Sequence, residues 1–147
     1  MRVVVFSGTT EGRAFSKQLG ALGADVLVSV ATDLGAEEQG SAPGVTVRAG
    51  RLEAEEMTAL LQGADLCIDA THPYAVEVTE HIRAAAEAAG LPVIFHIHDE
   101  CVIDCPAFGT PDEMLDHVTH LMTQPIPWAQ GLPLNADGWV GTFFKKD

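Results

Sequence analysis

Short apolar runs rich in β-branched residues recur along the first 97 residues, at Val3–Phe6, Val26–Val30, Val45–Val47, Leu66–Ile68 and Val93–Ile97. Each has the length of a strand, and none alternates cleanly with polar residues, which fits strands buried on both faces. Between them the spacing becomes helical. Phe15, Leu19 and Leu22 recur at i, i+4 and i+7, predicting a helix that turns this stripe inward. Met57, Leu60 and Leu61 follow the acidic stretch Glu53–Glu56, which suits the positive end of a helix. Ile82, Ala85, Ala86 and Ala89 line one face of a third helix, stopped by Gly90 ahead of Pro92. Asp33–Gly44 shows no helical stripe and reads as a loop with room for one short helical turn.

Strands alternating with helices predict a parallel sheet covered on both sides, and right-handed crossovers order it. The expected fold is α/β, a Rossmann-like doubly wound parallel five-stranded sheet, with an extra C-terminal helix and an irregular tail. The helix is announced by Thr110-Pro111-Asp112-Glu113, in which a Thr N-cap, a Pro at the first position and a Glu at the third make a capping box. Met114, Leu115, Val118, Leu121 and Met122 continue it with one apolar face. Beyond Thr123, Pro125, Pro127, Gly131, Pro133, Gly138 and Gly141 leave no periodicity. The division expected is therefore 1–97, a nucleotide-binding domain, and 98–147, a helix with a loose tail.

Composition narrows the partners. With 147 residues, 47% hydrophobic and 20% charged, the chain is that of a globular domain. It holds 8 Lys and Arg against 21 Asp and Glu, a formal net charge of -13. That balance argues against nucleic acid and against an anionic membrane surface as partners. No apolar run is long enough to span a bilayer, and Met1–Arg13 lacks the features of a signal peptide. Cys67, Cys101 and Cys105 make no disulfide framework, and Cys67 lies in an apolar run, so a cytoplasmic setting is expected.

In an open parallel sheet, ligands sit outside the carboxyl ends of the strands. The first strand runs into Ser7-Gly8-Thr9-Thr10-Glu11-Gly12-Arg13, where Gly8 admits close approach and the two Thr hydroxyls flank a helix start. The turn has neither the G-x-G-x-x-G pattern nor a Walker lysine, and a purely structural turn accounts for it equally well. The second strand ends in Ser29-Val30-Ala31-Thr32 without an acidic residue. A neutral end repels a 2′-phosphate less and tilts the reading toward NADPH, although Ser29 and Thr32 can equally cap the loop. Arg48 and Arg51 flank Gly50 at the third strand's exit, where one can contact phosphate and the other stay solvated. The fourth strand ends in Asp69-Ala70-Thr71-His72-Pro73-Tyr74. Pro73 is placed to open the next helix, and His72 can contact a ligand, move a proton or cap that helix. Asp69 is expected to bond within the turn.

Ser-Gly-Thr-Thr-Glu-Gly-Arg at 7–13, Ser-Val-Ala-Thr at 29–32, Gly-Arg-Leu at 50–52 and Asp-Ala-Thr-His-Pro-Tyr-Ala at 69–75 resemble the successive motifs of the precorrin-6A reductase family. The resemblance covers residues 1–95 or so. It implies NADPH-dependent reduction of a tetrapyrrole double bond in cobalamin biosynthesis, on a two-domain fold with cofactor and substrate between the halves. It places Gly8, Thr9, Thr10 and Glu11 at the cofactor's phosphates, Ser29, Thr32 and Arg51 at its ribose-phosphate side, and Thr71, His72 and Pro73 at the nicotinamide. His72 is the candidate catalytic group. The chain departs from the family in stopping about a hundred residues short, in carrying His96-Ile97-His98-Asp99 where an Arg-Pro segment is usual, and in having Gly12 where Ala is commoner. Self-association or a partner supplying the absent half would then be needed for turnover.

Two other readings stay open. The chain can be a non-catalytic nucleotide-binding remnant. It can instead be a small α/β metal-binding protein, since His96, His98, Cys101 and Cys105 gather zinc-type donors near His117 and His120. Their spacing matches no standard zinc signature, and His96 and His98 can simply be the polar side of a strand, so the reductase reading takes no metal.

Overall fold

The computed structural model describes residues 1–97, 100–104, 110–125, 130–131 and 133–142. The strands are β1 (Arg2–Ser7), β2 (Asp25–Val30), β3 (Val45–Ala49), β4 (Leu66–Ala70), β5 (Val93–Ile97) and β6 (Glu100–Asp104). The helices are α1 (Thr10–Ala21), α2 (Asp33–Gln39), α3 (Ala54–Leu61), α4 (Val76–Ala89) and α5 (Pro111–Met122). The sheet runs β3-β2-β1-β4-β5-β6. The first five strands are parallel, as expected, and β6 adds a sixth that runs antiparallel to β5. The return is immediate, with Ile97 opposite Glu100, which rules out the helical crossover that a parallel partner would need.

The chain separates into two compact units, Met1–Pro106 and Ala107–Asp147. In the first, both faces of the sheet are covered. Val4, Phe6 and Cys67 pack with Met57 and Leu61 of α3 and Ile82, Ala85 and Ala86 of α4. On the other face Val3, Val5, Val26, Val28, Val30, Ile68 and Ala70 pack with Leu19 of α1 and Ala36 of α2. Burial, with Asp69 beside it, pushes the Cys67 thiol up to about 12, so at neutral pH this sulfur is a small apolar filler rather than a nucleophile.

Several expectations meet their local physics here. Gly90 ends α4 in the left-handed conformation with φ of 67°. The Glu53 N–H donates to the Glu56 carboxylate at 2.9 Å and closes the first turn of α3. The Thr110–Glu113 capping box forms at the start of α5, and its hydrogen bonds hold the Glu113 carboxyl below its usual range. Two expectations are corrected. Asp33–Gly44 contains the helix α2, whose one buried residue is Gln39, so it presents no apolar stripe to read. In α1 the helix is where it was expected, but of the expected stripe only Leu19 packs inward. Gly12, Ser16 and Gly20 are buried, while Phe15 is 45% and Leu22 84% exposed. The cause is close docking: a Cβ on Gly12 would lie 2.7 Å from Ala70 Cβ and 2.9 Å from Ser7 Oγ. No helix among the described residues is long and apolar enough to cross a membrane.

Candidate functional site

Strand order reverses between β1 and β4, because the chain moves outward to β2 and β3 before returning to β4. The carboxyl ends of these two strands therefore open a crevice. The Gly8 N–H donates to the Ala70 carbonyl at 3.0 Å, which ties the two strand ends together. Thr9 caps α1: its hydroxyl accepts from the Gly12 N–H at 3.1 Å and donates to the Ala70 carbonyl at 3.1 Å. Thr9 is thus fully used in holding the loop. The N–H groups of Thr10 and Glu11, in the first turn, have no carbonyl within the helix to bond, and they stand at its positive end.

On the β4 side, Asp69 accepts from the Thr71 N–H at 3.0 Å and from the Thr71 hydroxyl at 2.6 Å, so it does belong to the turn. The Ala75 N–H donates to the His72 carbonyl at 2.8 Å. This makes His72–Ala75 a turn with Pro73 at its second position, where a fixed φ is favoured. Pro73 therefore does not open α4, which begins at Val76 with Ala75 as its N-cap. His72 is exposed, and its Nδ1 accepts from the Tyr74 N–H at 3.4 Å.

Two adjoining hollows occupy the crevice. The larger, about 460 Å³, is lined by Gly8, Thr9, Thr10, Glu11, Arg13, Glu38, His72 and Pro73. The smaller, about 200 Å³, is lined by Ser7, Gly8, Arg13, Val30, Ala31, Thr32, Leu34, Gly35 and Glu38. Six of the expected residues thus share one hollow, and Thr32 joins Gly8 in the other. Thr32 is also the N-cap of α2, accepting from the Gly35 N–H at 3.0 Å. The remaining three line neither hollow. Ser29 is buried and pairs in register with Phe6, two residues beyond Leu27, on the face that carries α3 and α4. Arg51 is exposed in the loop after β3. Thr71 has given its hydroxyl to Asp69.

Sequence reasoning missed Arg13 and Glu38, which line both hollows and form an ion pair of 2.9 Å between α1 and α2. Arg13 closes the Ser-Gly-Thr-Thr-Glu-Gly-Arg motif, which was the available signal; Glu38 lay in the stretch read as a loop. Ser7 was also missed. Its Oγ is buried without a hydrogen-bond partner at the edge of the smaller hollow. Among the described residues no group of His, Cys, Asp or Glu is arranged to hold a metal, and His98 and Cys105 lie outside those residues.

The chain resembles known proteins of two kinds. Over 59 residues, 40% of its length, it is 49% identical to a DNA polymerase of Bacillus phage SP02, of which it covers 9%. Over 91 residues, 60% of its length, it is 41% identical to the cobalt-precorrin-6A reductase of Salmonella typhimurium. It spans about a third of that reductase, 34%. Among solved structures, a CobK precorrin-6A reductase superposes with a TM-score of 0.56 at 24% identity, covering 76% of this chain and 41% of that one, a likeness of fold. The sequence profile described as precorrin-6x reductase CbiJ/CobK matches residues 2–101, the stretch that builds the five parallel strands and both hollows, and the chain belongs to that family.

Proposed function

We propose that residues 1–97 bind NADPH and serve the reduction of a double bond in a precorrin-6A-type tetrapyrrole, a step of cobalamin biosynthesis. The observation that carries this is the meeting of the β1, β2 and β4 loops at the reversal of strand order, beside unsatisfied donors. The crevice fits a dinucleotide: the Thr10 and Glu11 N–H groups suit phosphate, Gly8 leaves room for it, and the orphaned Ser7 hydroxyl awaits a polar partner. Thr32 and Arg13 would face the ribose-phosphate side, with His72 and Pro73 at the nicotinamide end. When bound, NADPH supplies the hydride; the residues position it and screen its charge. With Nδ1 accepting from the Tyr74 N–H, Nε2 is the ring nitrogen left to a ligand, and His72 is the candidate group for moving the accompanying proton. A second half, from self-association or a partner, would close the substrate side and offset the charge of -13 that opposes a polycarboxylate. The buried free thiol of Cys67 suits the cytoplasm.

Fluorescence titration of NADPH tests the site. Combining Thr10→Val with His72→Ala is expected to weaken binding by about tenfold or more. Parent-like affinity in the double variant would mean the cofactor sits elsewhere.

A second reading concerns the C-terminal part. We infer that the polymerase likeness falls there, because the reductase profile ends at residue 101 and the first compact unit at Pro106. A 59-residue likeness running to the C-terminus would take in β5 and β6 as well. On this reading the C-terminal part, Ala107–Asp147 included, resembles the polymerase rather than the reductase. Its match is too small a part of a polymerase to carry polymerisation, and the acidic charge opposes nucleic acid. A chain cut after Pro106 is expected to bind NADPH within about twofold of the full chain. A larger loss would show that the C-terminal part completes the reductase site.

A further inference from the structure

The Arg13–Glu38 pair is the wall that the two hollows share. Arg13 Nη1 lies 2.9 Å from Glu38 Oε2, and Nη2 donates to the Thr10 hydroxyl at 3.1 Å. Both partners keep solvent contact, with side-chain exposures of 27% and 51%, so the pair can open without stranding a buried charge. Directly behind it, Gln39 Nε2 donates to Ser16 Oγ at 2.8 Å, and Gln39 is fully buried. That inner bond holds α1 against α2 whether or not the outer ion pair forms.

We propose that Glu38 sets the cofactor preference, by holding Arg13 and so narrowing the margin by which this crevice favours NADPH over NADH. The inference rests on the dinucleotide reading above. Among the described residues Arg13 is the one cation lining either hollow, and Thr32 and Gly35 bring the end of β2, where an adenosine ribose would lie, beside it. A 2′-phosphate carries close to two negative charges and is matched by the guanidinium fork. To take that fork it must displace the Glu38 carboxylate and then lie beside it, a like-charge contact at short range. NADH, with a ribose hydroxyl there, meets neither cost.

Calorimetric titration of the full chain with NADPH and with NADH tests this. In Glu38→Gln the carboxylate becomes an amide of the same shape, and NADPH is expected to bind about tenfold more tightly, while NADH changes by less than about twofold. Arg13→Gln is expected to bring NADPH affinity down to that of NADH. Thermal melting of Glu38→Gln should match the parent, because Gln39 and Ser16 still join the helices. If the parent binds both cofactors and Glu38→Gln shifts neither, or shifts both equally, Glu38 does not set the preference. A parent that binds neither overturns the dinucleotide reading and this inference with it.

Discussion

Leu61→Ala is expected to cost about 2–5 kcal/mol, the range for emptying a leucine site in a packed core. Leu61 ends α3, has no exposed surface, and packs among Met57, Ile82 and Ala86 between the sheet and α4. The α3–α4 layer on that face is built around it, and the backbone of a helix end anchored to a sheet cannot collapse into the void. At roughly 2–4 °C per kcal/mol for a chain of this size, the melting temperature should fall by about 4–20 °C. Leu22→Ala is the control. Leu22 is 84% exposed, and its loss should stay within about 0.5 kcal/mol. Circular dichroism melts of the two variants decide the matter; equal shifts would mean that α3 does not seal the core as described.

The contrast between these leucines also shows what the sequence could tell. Strands were legible because Val3–Val5, Val26, Val28 and Val93 are buried on a sheet covered from both sides, and a run of β-branched residues has few other uses. Helix ends were legible where their chemistry is local, as at Gly90 and Thr110–Glu113. The inward face of α1 was not, because close docking on Ala70 selects small residues, which leave no hydrophobic stripe. The helix α2 escaped for a related reason, since its one buried side chain is the amide Gln39. The strand β6 went unread, because Glu100–Asp104 has only Cys101–Ile103 between two acidic residues, too short an apolar run to mark a strand.

The site follows the same division. Gly8, Thr9, Thr10, Glu11, His72 and Pro73 line one hollow because topology sends loops at adjacent strand ends to one crevice. Ser29 was misplaced by one position. Val26, Val28 and Val30 alternate onto the α1–α2 face, so the phase of the strand already sends Ser29 to the other side. Arg13 and Glu38 meet across two helices from positions 25 residues apart, a pairing that no local pattern encodes. It depends on α2, and α2 was the element left unread.

Gly8→Val puts the crevice itself to the test. A Cβ at Gly8 would find its nearest neighbours, the His72 N and Thr71 Cα, at 3.5 Å, an ordinary contact. Gly8 has no positive φ that would make a side chain strained, and its N–H bond to Ala70 involves only backbone. The backbone there accepts a side chain, so the variant is expected to fold, and a circular dichroism melt checks this before binding is read. Binding should not. Gly8 lines both hollows, and a branched side chain there fills the place where phosphate must approach the first turn of α1. The NADPH dissociation constant is expected to rise by about 100-fold, or 2.7 kcal/mol. The pairing of an intact fold with lost affinity is the informative result, since an unfolded variant would lose both. A folded Gly8→Val protein with the parent's affinity would show that the dinucleotide does not cross the β1–α1 turn, and the reductase reading would then lose its physical site.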